Sequence, residues 1–389
     1  MAKSRLQFDA SESIPGNAPG YHSNQHFMNR RCRITIGLSA SLVAAAPMLS
    51  AQQVLRQLDS VLVKESEGTY LSRIGTMAVG PKGDVFVSDL VEGRIIQIAR
   101  NGDVVGTISR KGKGPGELTT AGSMTFMGDS LFVFDYNQAR ISVFQVATRK
   151  FLRSFTAPLP PFTQVSAIGS ELIAHITEPK TFTSVVVLSP SGTIARREGV
   201  SPEFLRQNPK FIQALNQSAL TVRGNEVWSA SEYSQSLYNW KRGTTVVTQE
   251  LKIPVVTRRG VDEGVLLKVL QDPEKNATRL YDHSFPIALR FIAPEILALV
   301  TMDPKFEPPS ASMRNGKLTG QHHVTLVDIK AKRVCPDTRL PIVDDPLPKV
   351  DLIGDVLVVV QQASLKNGDA ATALRRFRID PKQCTWIPL

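Results

Sequence analysis

The sequence is poor in the residues that usually mark chemistry. Its 389 residues hold three cysteines and six histidines. No cysteine stands in a Cys-x-x-Cys or Cys/His zinc spacing, which removes zinc ribbons and dithiol redox motifs. There is no Gly-x-Ser-x-Gly, so the serine elbow of α/β-hydrolases is absent. No arginine-rich arm, RNP-like aromatic motif or helix-turn-helix pattern accompanies the basic residues, which argues against nucleic acid as a partner. Strong helix formers do not dominate either; Val, Ile, Thr, Ser and Gly recur throughout and favour β structure. What is present is globular in balance: 42% hydrophobic and 21% charged residues leave no room for long disorder.

One long apolar run occurs near the start. Met28 is followed by the basic stretch Asn29-Arg30-Arg31-Cys32-Arg33, then by an apolar segment from Ile34 to Ala51 that ends in small residues. That order is the secretory pattern, so residues 28–51 read as a signal peptide. An uncleaved anchor is the alternative, but Ser, Gly and Pro make this segment a poor membrane span. The polar leader 1–27 shows no periodic pattern, and Met28 is a second candidate start. Removal of 1–51 takes away five basic and two acidic residues, lowering the net charge from +11 to +8. The expected product is a periplasmic or extracellular monomer without a membrane span.

From residue 74 onward one unit recurs six times: an apolar strand, a tight turn, a second apolar strand, then a third strand, a second turn and a fourth strand. The first turns are Gly83-Asp84, Gly128-Asp129, Gly169-Ser170, Gly224-Asn225, Pro294-Glu295 and Gly354-Asp355, separated by 45, 41, 55, 70 and 60 residues. Gly, Asn and Asp supply the positive φ that tight hairpins require. Six four-stranded units can close radially and leave no long exposed edge, which predicts an all-β, six-bladed β-propeller over 52–389 rather than a pair of sandwiches. The blades fall roughly at 74–118, 119–160, 161–200, 219–254, 285–345 and 346–389.

Val87-Ser88-Asp89 followed by Arg94-Ile95, and Val133-Phe134-Asp135 followed by Arg140-Ile141, resemble the repeat of NHL-type six-bladed propellers. Lys111-Gly112-Lys113-Gly114-Pro115-Gly116-Glu117 resembles the glycine-rich inter-blade signature of bacterial relatives. The resemblance covers residues 74–160 closely and the remainder only in pattern, since later units lose the Asp…Arg pair. It implies the fold; such propellers host binding proteins, lyases and lactonases alike.

Alternating strand direction puts the first–second and third–fourth turns on one face, and these are short in every unit. The other face receives every long insertion: Ser201–Ser218, Val255–Ser284 and Asp303–Gly320. Loops on a rigid scaffold carry function, so the long-loop face is the expected working face. Two insertions read as short helices, one capped by Ser201 with Pro202 at its first position, the other over Asp262–Leu270. They would lie over the channel as a lid or cover an apolar rim.

The candidate ligand contacts on that face are Arg94, Lys111, Lys113, Asp135 and Arg140. Each has a structural alternative: the glycine-rich stretch lacks the Gly-Lys-Ser/Thr ending of a P-loop, and the Asp/Arg pairs can staple loops. Of the histidines beyond the signal, His175 ends a second strand and is the one to ligate a metal if a metal is found. His322 and His323 are neighbours in a strand, point to opposite faces and cannot chelate together. No cofactor is expected, a divalent metal being the alternative. Cys335 and Cys384 follow third strands of adjacent units; fourth strands splay at the rim, which argues against a bond. A closure in which Leu58–Val63 supplies the last outer strand would reverse that. The reading is an exported binding or scaffold propeller for a small anionic ligand or a protein segment. Its alternative is a lyase or lactonase-like hydrolase working in the channel.

Overall fold

The computed structural model describes residues 53–389, apart from 161–162, 177–179, 182, 190, 202, 208–217, 232–235, 255–262, 273–282, 308–316, 342–347 and 365–369. The leader and signal expected over 1–51 lie outside the described residues, as does Pro202.

Six antiparallel sheets form a six-bladed propeller. Before the first blade comes β1 (Leu55–Leu62). Blade 1 is β2 (Ile74–Val79), β3 (Val85–Asp89), β4 (Arg94–Ile98) and β5 (Val104–Ile108). Blade 2 is β6 (Ala121–Met127), β7 (Ser130–Asp135), β8 (Arg140–Gln145) and β9 (Phe151–Thr156). Blade 3 is β10 (Gln164–Ile168), β11 (Glu171–His175), β12 (Val185–Leu188) and β13 (Ile194–Glu198). After α1 (Glu203–Gln207), blade 4 is β14 (Ser218–Arg223), β15 (Glu226–Ser231), β16 (Ser236–Lys241) and β17 (Val247–Lys252). After α2 (Glu263–Gln271), blade 5 is β18 (Phe285–Ala293), β19 (Ile296–Glu307), β20 (Lys317–Asp328) and β21 (Arg333–Arg339). Blade 6 has β22 (Lys349–Ile353), β23 (Val356–Ser364) and β24 (Ala370–Ile379), and the chain ends in β25 (Ile387–Pro388).

Burial explains why these segments became strands. All five residues of β3 are buried, because a middle strand meets a neighbouring blade on each face. The outer strand β9 exposes four of six. Six apolar clusters hold the ring, one per blade interface, and the ring closes where Val358, Val360 and Leu374 of blade 6 pack on Val85, Val87 and Ile96 of blade 1.

The closure corrects two expectations. Blade 6 is not built from 346–389 alone: its sheet order is β1-β24-β23-β22, with the N-terminal strand outermost in the register Leu55↔Ile379 to Leu62↔Ala373. The C-terminal segment, released from that role, turns at Pro381–Gln383 and joins blade 5, where β25 pairs with β21. Cys384 thereby lies beside blade 5's outer strand and is disulfide-bonded to Cys335, with Cα atoms 5.7 Å apart. The argument against the bond placed Cys384 in blade 6; the alternative closure, with the N-terminal strand outermost in the last blade, is the one observed, and the bond forms.

Neighbouring blades also lock at the rim through their outer turns. Gly192, in the outer turn of blade 3, takes φ +90°, and a Cβ there would stand 2.3 Å from the Thr156 carbonyl at the end of blade 2's outer strand. Gly192→Ala is therefore expected to cost about 2 kcal/mol from left-handed strain and clash. Equilibrium denaturation checks it; an unchanged midpoint would mean that this contact is not tight.

Candidate functional site

The three insertions leave the blades on the face opposite the hairpin turns. The expected helices are present as α1 and α2. The third insertion differs: its ends continue β19 and β20 as a ribbon, paired from Asp303↔Gln321 to Glu307↔Lys317.

On this face the Asp/Arg pairs hold the inter-blade loops. Arg94 donates to the Gly68 and Tyr70 carbonyls, each at 2.7 Å, while Asp89 accepts from the backbone N–H groups of Ser72 and Val91 at 3.0 Å. One blade on, Arg140 donates to the carbonyls of Lys113, Gly114 and Glu117, and Asp135 accepts from Thr119 and Gln138. In both blades the arginine opening the third strand reaches back to the preceding loop, and the aspartate ending the second strand fixes the loop's exit. An isolated loop carbonyl costs little in water, but several gathered under one guanidinium order the loop.

The glycine-rich loop holds an anion of its own. The Glu117 carboxylate folds into it, accepting from the Gly114 N–H and from Arg110 Nε, both at 2.9 Å. The Gly114 N–H, then Arg110, hold this carboxyl below its ordinary pKa. A Cβ at Gly112 would fall 2.0 Å from Glu117 Oε2, so a larger residue there would push the carboxylate out of its place. Lys111 and Lys113 stay exposed, with no side-chain partner among the described residues.

Further round, blade 5 brings together polar side chains that the sequence does not link. Ser284 donates to Asp303 Oδ1, and His323 Nε2 lies 3.5 Å from Asp303 Oδ2. The carboxylate stands between hydroxyl and imidazole, whereas activating a serine requires the imidazole beside the hydroxyl. His322, as expected, points the other way; it shares its strand face with Val324 and Leu326, which pack against blade 6. Burial pushes its pKa down to about 4, helped by the charges of Lys349 and His323 and opposed by the Gly320 backbone. It is a neutral imidazole at physiological pH. His175 is 1% exposed at the end of β11. Among the described residues no group of three or more His, Cys, Asp or Glu is placed to hold a metal ion.

The channel wall is the exposed edge of six inner strands, and polar side chains from neighbouring inner strands satisfy much of it. Ser123 Oγ accepts from Val165 N–H at 2.9 Å, Thr125 Oγ1 from Ala167 N–H at 2.9 Å, and Asp351 Oδ2 from Val79 N–H at 3.2 Å. Arg290 Nη1 donates to the Leu220 carbonyl at 3.1 Å. These side chains stitch blade 2 to 3, blade 4 to 5 and blade 6 to 1, and Arg290 Nη2 also lies 3.8 Å from Asp351 Oδ1 across blades 5 and 6. Sequence reasoning missed Asp351 and Arg290 because their partners lie on other blades.

The fold is that of a six-bladed β-propeller with one elaborated face. No protein-family model and no curated protein matches the chain. Among solved structures it is similar to one named "Putative exported protein" from Bacteroides fragilis, at 13% identity and TM-score 0.57 over 85% of this chain and 96% of that one. It is also similar to a member of the duf4221 family from Bacteroides vulgatus, at 10% identity and TM-score 0.53 over 84% and 98%. At such identities the likeness is one of fold. The NHL-type assignment therefore stays a resemblance carried by blades 1 and 2. Among the described residues no helix is long and apolar enough to cross a membrane.

Proposed function

We propose that this chain is an exported, non-catalytic binding or scaffold propeller whose long-loop face recognises a small anionic ligand or a protein segment. The observation that carries the reading is the asymmetry of the two faces. Every described addition to the four-stranded blades of the ring on the inter-blade side (α1, α2 and the β19–β20 ribbon) leaves from one face. The polar side chains at the channel meanwhile serve the edges of adjacent strands, which is what a scaffold needs and not what a converging catalytic constellation looks like. Of the five candidate contacts, Arg94, Asp135 and Arg140 act as positioning residues for the loops. Lys111 and Lys113 remain the cations available to a ligand.

Thermal denaturation of the purified chain with a panel of small di- and tricarboxylates and phosphate esters tests the reading. At least one anion is expected to raise Tm; the Lys111→Glu, Lys113→Glu double variant should lose that shift, and Lys330→Glu on the opposite face should keep it. A shift that survives the double variant counts against the assignment. Elemental analysis is expected to find well under one equivalent of divalent metal. A stoichiometric metal whose chelation lowers Tm would return the channel-enzyme reading, with His175 the first residue to mutate.

A further inference from the structure

On the short-turn face a cavity of about 190 Å³ opens between blades 1 and 2. Phe86, Gln97 and Val105 of blade 1 and Val146 of blade 2 form much of its surface, and Lys82, Asp84, Asp129 and Arg149 stand around it. Its origin is one missing side chain. Phe86, Gln97 and Gly106 lie opposite one another across β3, β4 and β5. The position of Gly106 is held by Arg153, Arg196, Gln249, Cys335 and Asp59 in the other five blades. Between blades 3 and 4, Arg196 fills this place and binds Glu171, which also receives Arg242 from the outer turn of blade 4. Between blades 1 and 2 Asp84 stands in the place of Glu171 and Val146 in the place of Arg242, and the arginine of this outer turn is Arg149, three residues further on. With glycine at 106 no guanidinium from blade 1 joins them, and among the described residues no ion pair links Asp84 to Arg149.

Gln97 supplies the second observation. It is 6% exposed, and its Nε2 donates to Asp84 Oδ2 at 2.8 Å, which settles the amide's orientation. Its Oε1 is then buried without a hydrogen-bond partner. The counterpart in blade 4, Asn239, has both ends engaged, with Val227 and Thr248, and the counterpart in blade 2 is the apolar Val143. A buried acceptor left unpaired beside a cavity points to a donor that arrives from outside. Arg149 takes φ +58° and lies across the bare backbone of Gly106, where an added Cβ would come within 2.7 Å of its Nε.

We propose that this cavity binds a small zwitterion, an α-amino acid with an apolar side chain. Its ammonium donates to Gln97 Oε1 and to Asp84, its carboxylate meets Arg149 and Lys82, and its side chain lies on Phe86, Val105 and Val146. The lining carries two acids and two bases, which suits a ligand with one charge of each sign and no net charge. The volume is below the roughly 300–1,000 Å³ of sites for drug-sized ligands, which limits the occupant to amino-acid scale. The site lies on the face opposite the long loops and stands or falls independently of the function proposed for them.

Calorimetric titration of the purified chain with leucine, 3-methylbutylamine and 4-methylpentanoate tests each arm. Leucine is expected to bind, and each one-ended analogue to bind at least about tenfold more weakly. Gln97→Leu, which removes the orphan acceptor at similar volume, should abolish leucine binding without lowering Tm. Gly106→Ala should weaken it by displacing Arg149. Absence of heat and of any Tm shift with leucine at about 10 mM would mean that the cavity holds only water and would overturn the proposal. Leucine binding that persists in Gln97→Leu would overturn it as well, as would an amine that binds as tightly as leucine.

Discussion

Replacing Cys335 and Cys384 together by serine is expected to cost about 4 kcal/mol of stability, because the bond closes a loop whose ends are 49 residues apart in sequence. Loop closure in the unfolded chain sets this size, and in the folded chain the bond also holds the last segment in place. The last segment of the protein leaves blade 6, passes the start of β1 with Asp380 N–H on the Val54 carbonyl at 2.8 Å, and settles on the edge of blade 5. There only a short ladder holds it: Val334↔Ile387 and Arg333↔Pro388, the Leu389 N–H on the Lys332 carbonyl, and Arg333 over the Trp386 ring at 4.8 Å. An edge strand of two residues has little intrinsic stability, so the covalent bond keeps it in place. Denaturant unfolding with and without reductant measures the effect. Equal midpoints in both conditions would show that β25 contributes nothing to closure. The same bond fits an oxidising compartment, where such disulfides persist.

Acidification from pH 6.5 to 4 is expected to remove on the order of 3 kcal/mol of stability through His322 alone. The imidazole has an ordinary pKa of 6.5 and is held at about 4 in the fold, chiefly by burial. The unfolded chain therefore binds this proton more readily than the folded one between those values. Stability is complete above pH 6.5, falls as pH drops toward 4, and levels off below, where both states carry the proton. Lys349 and His323, the charged or chargeable groups named with burial as causes, deepen the penalty because a proton on His322 would stand beside them. Carboxylates act in a lower window: Glu171, bound by Arg196 and Arg242, is held at about 2 and loses its contribution only below its ordinary 4.5. His322 thus contributes to the slope between pH 6.5 and 4.5. His322→Phe should flatten it, with His322→Gln as a second variant in case the ring crowds blade 6. A wild-type curve already flat in that range would sink the assignment.

How far these conclusions can be read from the chain depends on how local their causes are. Five of the six hairpin turns are visible because positive φ at Gly83, Gly128, Gly169, Gly224 and Gly354 favours glycine at those positions; the sixth, Pro294-Glu295, shows only by its spacing between apolar strands. The Asp/Arg pairs are visible as pairs, yet their task depends on carbonyls at Gly68, Tyr70 and Glu117 that only the folded loops bring within reach. Gln97 interrupts an apolar run and Gly106 is the third residue of β5, so both can be noticed in the sequence. That they face one another beneath Arg149 follows from register between three strands and packing between two blades.

The sequence by itself determined the strand pattern, the blade count and the division into a trimmed and an elaborated face, since each of these follows from hairpin chemistry and hydrophobic spacing within a few tens of residues. Only the tertiary structure decided how the ring closes, which cysteines meet, and which polar groups are already engaged. Those depend on contacts between segments hundreds of residues apart, such as β1 with β24 and Asp351 with Val79. Local sequence does not encode a partner at that distance; the closed ring does, because bending six sheets around one axis leaves each inner edge a single neighbour to meet.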